Sequence, residues 1–257
     1  RQMLERNPEL EKIFAEMDSA VRDLLTLCES PCIPETATAA QAARIKTLLG
    51  KLQVAEGSEA FQYLREYLHS PKNRANLEPV IKELEGLNSK VELQARIEKA
   101  IHESAAAKGL TAVRRPDGKW EVTVEGSGKV TEYSVQPHNK APGTKRFFNS
   151  HHGIQGAWGR ARVKGYIYEQ APTILLRNSR MNTPHQIVSA LQKAREAGVG
   201  SRTYAQERAL LHNDMKAAGV PAADANAILA ASDAFFAKLY SKQPPSMLES
   251  IFGDWKP

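Results

Sequence analysis

The sequence predicts a mostly helical α+β chain. A helical N-terminal bundle spans residues 1–109, and a β meander followed by a strand–strand–helix unit with C-terminal helices spans residues 110–257. Three observations predict this. Apolar residues recur at helical spacing through the N-terminal part. At Leu110 the pattern changes to short alternating runs punctuated by Asp117-Gly118 and Gly126-Ser127-Gly128. Beyond Gly143, two short strand-like runs precede a segment with a helix start at Thr183-Pro184.

The elements follow in order. Asn7-Pro8 opens a first helix whose stripe is Leu10, Ile13, Phe14, Met17, Val21, Leu24 and Leu25, and Ser30-Pro31 ends it. A second helix covers Ala40 to Leu52, with Ile45, Leu48, Leu49 and Leu52 on one side. A third starts at Ser58 and is followed by Pro71, and a fourth has Pro79 near its start. A fifth carries Val91, Leu93, Ile97 and Ile101 and stops at Gly109, suited to the left-handed position after a helix. The meander has strands around Thr111 to Arg115, Trp120 to Val124 and Val130 to Val135, and Gln136 to Gly143 reads as a loop. Arg146 to Ser150 leads into His151-His152, a mixed segment covers Gly153 to Gln170, and Ala171 to Arg177 reads as a short buried strand. Helices then run from Thr183 to Ala197, Thr203 to Ala218 and Pro221 to Tyr240, and the apolar tail Met247 to Trp255 is expected to dock.

Composition narrows the function class. At 42% hydrophobic and 25% charged residues, the chain is expected to fold rather than stay disordered. No run approaches the roughly 18 apolar residues of a membrane span, and no signal-peptide pattern opens the chain. Arg1 in place of an initiator Met is the mark expected of a piece of a longer or processed chain. Residues 1–108 hold 15 Lys/Arg against 17 Asp/Glu, and residues 109–257 hold 20 against 12. The +8 half is the one that would meet a polyanion. Cys28 and Cys32, spaced C-x3-C without a matching pair, are a weak zinc signal and read as a small disulfide or as two buried thiols.

Chemistry concentrates in the basic half. His151, His152 and His185 lie in a strand-then-helix frame. Adjacent residues on a strand point to opposite faces, so one imidazole can face a metal and the other a substrate. A histidine at the start of the following helix can close the site, where free N–H groups and the helix dipole favour an anion. Asn182 offers a carbonyl ligand three residues before His185. Such a set suits phosphodiester cleavage, in which a divalent ion stabilises developing charge and a neutral imidazole takes a proton from water. Lys140, Lys145, Arg146, Arg160, Arg162, Lys164, Arg177 and Arg180 surround it, with Glu169 the one acid among them, as binding a phosphate backbone requires. His69, His102, His138 and His212 are read as structural.

Ser150-His151-His152-Gly153-Ile154-Gln155, followed by Ala171-Pro172-Thr173-Ile174-Leu175-Leu176 and Asn182-Thr183-Pro184-His185, resembles the SHH-type toxin domain of the HNH/endonuclease VII fold, found at the C-terminus of bacterial polymorphic toxins. The resemblance covers roughly Lys145 to Tyr240 and includes Thr203-Tyr204 and Ser232-Asp233-Ala234-Phe235-Phe236. It implies a ββα-metal core and a nuclease delivered into competing cells, with a cognate immunity protein protecting the producer. It makes His152 the general base, with His151, Asn182 and His185 on the metal. Some HNH nucleases carry a second helical histidine four residues after the first, and here that position is Ser189. A lighter, oxygen-rich shell would suit magnesium or manganese better than zinc.

The leading expectation is therefore a secreted, metal-dependent DNase toxin, acting as an antibacterial effector. Its partners would be DNA, an acidic immunity protein, and a secretion or carrier machine docked by the N-terminal helices. The alternatives are an RNase on the same fold and a non-catalytic nucleic-acid-binding module with a structural metal.

Overall fold

The computed structural model describes residues 32–55, 58–126, 128–178 and 183–257. The expected first helix and Cys28 lie outside the described residues, and so do Arg180 and Asn182. The chain is mixed α+β, with helices predominating and small antiparallel sheets.

Helices α1 (Ala39–Lys51), α2 (Glu59–His69), α3 (Pro71–Ala75), α4 (Leu77–Glu85) and α5 (Lys90–Ala106) open the described part. Their starts are set by side-chain caps. Thr38 and Gln41 form a reciprocal capping box, and Ser58, Ser70 and Ser89 each accept a first-turn N–H. The chain leaves α5 through Gly109 at φ +64°, a conformation costly for other residues. It then forms β1 (Thr111–Arg114), β2 (Trp120–Val124) and β3 (Gly128–Thr131), an antiparallel sheet in that order with Arg114 opposite Trp120 and Val124 opposite Gly128. Ala112, Trp120, Val122, Val124 and Val130 are buried in one core with the apolar stripes of the helices.

The strand expected from Val130 to Val135 is broken. Tyr133 adopts φ +65°, which ends β3 and turns the chain into a second sheet. There Tyr133 N–H donates to the Leu175 carbonyl at 2.8 Å, and Leu175 N–H to the Ser134 carbonyl at 3.0 Å. β4 (Val135–Pro137), whose Gln136 and Pro137 read as loop in the sequence, therefore pairs with β6 (Pro172–Arg177). The sheet order is β4-β6-β5, with β5 at Phe148–His152. A short helix, α6 (Gly156–Arg162), lies in the segment between β5 and β6.

β6 has no fully exposed side chain, and its apolar run Ile174-Leu175-Leu176 is buried on both faces. Leu175 joins the core of the N-terminal helices, whereas Ile174 and Leu176 join a second core. That second core is closed by α7 (Pro184–Ala194), α8 (Tyr204–Ala217) and α9 (Ala222–Tyr240). Thr203 and Gln206 form a capping box on α8. The tail docks as expected: α10 (Leu248–Phe252) buries Ile251 and Phe252, and Trp255 packs edge-on against Tyr204 with ring centroids 4.5 Å apart.

Candidate functional site

β5 and β6 form an antiparallel pair, and α7 follows β6 and packs against it. His151 lies opposite Ile174 and His152 opposite Thr173. Strand alternation then sends the two imidazoles to different faces. His151 shares a face with Ile174, on the side of the second core. His152 shares a face with Ser150, Leu175 and Phe148.

On the first face, the His151 and His185 rings meet edge-on, with centroids 5.3 Å apart. His185 reaches this place because Pro184 fixes the first turn of α7, with Thr183 at the N-cap position. The expected Thr183 cap hydrogen bond is not made, and the Thr183 hydroxyl is buried without a partner among the described residues. His151 is 7% exposed. Burial, then the His185 and His152 rings, hold its pKa down at about 3, against the opposing pull of Gln192 two turns along α7. Burial also lowers the pKa of His185.

The His151 Nε2 atom is buried and has no hydrogen-bond partner among the described residues. A buried nitrogen left unsatisfied is costly, and a neutral imidazole beside a second one is a pair of lone-pair donors. These two side chains fit a divalent cation. No group of three or more His, Cys, Asp and Glu side chains converges among the described residues. A third donor would come from elsewhere, and Asn182 lies outside the described residues.

On the second face, burial holds the His152 pKa down at about 4, partly offset by a hydrogen bond to the Tyr168 backbone. That bond joins Nε2 to the Tyr168 carbonyl at 3.1 Å. A carbonyl only accepts, so the proton sits on Nε2 and the lone pair on Nδ1. The His152 ring lies 4.0 Å from the Tyr168 ring and 4.7 Å from the His138 ring, centroid to centroid. His138, set aside as structural in the sequence reading, thus stands beside the doublet. β4–β6 pairing delivers it there, and no local sequence pattern announces it. Tyr168 and Gln192 also escaped notice, for the same reason.

Among the described residues, the basic side chains do not gather at one place on β5. Arg160 lies over the Tyr168 ring, its guanidinium carbon 4.7 Å from the centroid, at the edge of the His152 face. Lys164 is exposed nearby in sequence, while half-buried Arg162 donates to the Ser250 carbonyl. Lys145 and Arg146 are exposed at the other end of β5, both in the left-handed region at φ 47° and 63°. Arg177 stands at that same end, opposite Phe148. Its side chain is only 11% exposed and is paired with Glu59 at 3.0 Å and Glu132 at 3.4 Å, so it offers little to a phosphate.

Comparison with curated proteins and with solved structures gave no match. The family comparison did: residues 145–237, from the turn into β5 through most of α9, match the model of Tox-SHH, described as an HNH/Endo VII superfamily toxin with a SHH signature.

Proposed function

We propose that the chain is a metal-dependent endonuclease that hydrolyses phosphodiester bonds in DNA and serves as an antibacterial effector. The observation that carries this reading is the pair of neutral, largely buried imidazoles, His151 and His152, facing opposite sides of one strand within the toxin-domain segment. Nucleases of this superfamily are generally metal-dependent.

In this reading His151 and His185 hold the ion, with Asn182 as a third donor. The bound ion would neutralise charge developing on the scissile phosphate and the leaving oxygen. His152 does the proton chemistry. Its Nε2–H is committed to the Tyr168 carbonyl, so Nδ1 is the atom that takes a proton from the attacking water. A depressed pKa keeps that atom unprotonated at neutral pH. The scissile phosphate would have to lie within reach of both the ion and His152. Arg160 approaches from the base side, and Lys145, Arg146 and Lys164 carry the flanking backbone. Ser189 in place of a second helical histidine favours magnesium or manganese over zinc. Delivery into a target cell, docking of the N-terminal helices to a carrier, and neutralisation by an acidic immunity protein belong to the same proposal.

The test is cleavage of plasmid and of total RNA by the purified chain with magnesium, manganese, zinc or chelator. The expected result is metal-dependent plasmid cleavage that His152→Ala lowers by about 10²–10⁴-fold, the usual contribution of a general base. Cleavage of RNA alone would replace the substrate. Plasmid cleavage unaffected by His152→Ala would remove His152 as the base.

A further inference from the structure

His152 is held by more than its own strand. The 3₁₀ turn His138–Lys140 and the 3₁₀ turn Tyr168–Gln170 close on it from two sides. His138 and Tyr168 also touch each other edge-on, with centroids 5.0 Å apart, so the three rings form a closed cluster. His138 is itself fixed at two points. Its backbone N–H donates to the Ala171 carbonyl at 3.1 Å, one residue before β6. Its Nδ1 lies 3.1 Å from the Ser150 hydroxyl. Ser150 is two residues before His152 and on the same face of β5. The hydroxyl therefore ties His138 to the strand that carries the base.

We infer that His138 is a positioning residue for His152, with Ser150 as its tether. This rests on the reading of His152 as the base. An imidazole turns about two side-chain bonds, and the Tyr168 carbonyl restrains it through one atom only. Tyr168 and His138 contact the ring from adjacent directions and brace each other, so the ring cannot swing towards either without displacing both. The consequence is a single ring orientation, with the proton on Nε2 and the Nδ1 lone pair directed out of the cluster. In this assignment the serine of the signature has a mechanical task, and the residue it serves lies upstream of the matched segment.

The experiment combines steady-state cleavage with nitrogen-15 spectra of the histidine side chains, on the full chain. Wild type, His138→Ala, Ser150→Ala, the double variant and His152→Ala are compared, after circular dichroism shows that each is folded. His138→Phe keeps the ring without the tether and covers the case in which His138→Ala fails to fold. The expected result is one Nε2–H tautomer for His152 in wild type and a mixture in His138→Ala. The rate kcat should fall at least tenfold in that variant, with KM within twofold of wild type. Ser150→Ala should do the same more weakly, and the double variant should match His138→Ala alone. His138→Phe should fall between His138→Ala and wild type. An unchanged tautomer, an unchanged kcat, or a loss confined to KM in His138→Ala would overturn the assignment. So would additive losses in the double variant. Cleavage that survives His152→Ala would instead sink the base assignment, while the tautomer spectra would still decide whether His138 holds the ring.

Discussion

Proton uptake by His151 would put a cation on a ring that burial and two neighbouring imidazoles already keep neutral. Its ordinary pKa of 6.5 falls to about 3 in the folded chain, and that of His152 falls to about 4. Between those values and 6.5 the unfolded chain binds more protons than the folded one, so stability rises with pH across this window. The contribution is fully present above pH 6.5 and is lost as the pH falls through 4 towards 3. With a chelator present, the melting temperature should drop between pH 6.5 and 4, and His151→Asn should have a shallower profile. A flat wild-type profile, or equal slopes for the two proteins, would contradict the neutral assignment. At this scale the sequence was partly legible. Alternation on an extended segment separates His151 from His152, and a proline-started helix brings in His185, so both follow from short-range rules. His138 follows from none of them, because its contact with His152 depends on a turn at Tyr133 and on which strand β4 pairs with.

Helices were the most legible elements. Ser58, Thr203 and Gly109 mark their ends in the sequence and in the fold, because caps and left-handed exits are local chemistry. α6 was missed because its sequence, Gly156-Ala157-Trp158-Gly159-Arg160-Ala161-Arg162, has two helix-disfavouring glycines and no clear apolar stripe. The glycines are there for contact. A Cβ on Gly156 would come within 2.6 Å of the Tyr168 ring, and one on Gly159 within 2.5 Å of the Tyr166 ring. Two tyrosines thus lie directly on the backbone of α6, and one of them supplies the carbonyl that fixes His152. Alanine in a helix is ordinarily worth about 1 kcal/mol over glycine, but overpacking costs about 1–3 kcal/mol. Gly156→Ala should therefore destabilise the chain by chemical denaturation. It should also lower cleavage beyond the loss of folded protein, since Tyr168 must move. Gly159→Ala should destabilise without that extra loss. Equal effects on cleavage per folded molecule would show that α6 does not set the Tyr168 position.

Across the whole molecule, a buried ion cluster joins the two cores. Arg177, at the end of β6, reaches Glu59 on α2 and Glu132 after β3, and Glu132 also accepts the Trp120 N–H at 3.2 Å. Burial pushes the Glu132 carboxyl up from its ordinary pKa, against the pull of Arg177. At 3.4 Å the Arg177 Nε and Glu132 Oε1 atoms attract without making a hydrogen bond, and neither finds another partner among the described residues. In the sequence Arg177 is one of a run of cations, and nothing near it hints at acids so far upstream. Its two possible roles predict different losses. Arg177→Met would strand a buried carboxylate, at a cost of about 3–5 kcal/mol, and pairing it with Glu132→Gln, which removes the charge and keeps an acceptor for the Trp120 N–H, should recover part of that stability. Its effect on the salt dependence of DNA binding should be negligible. Arg160→Ala should do the opposite, leaving stability almost unchanged and reducing the log–log salt slope by about 0.9 for the one phosphate contact removed. If Arg177→Met lowers the slope as Arg160→Ala does, the cation reaches nucleic acid despite its burial, and the contact between the cores must open when substrate binds.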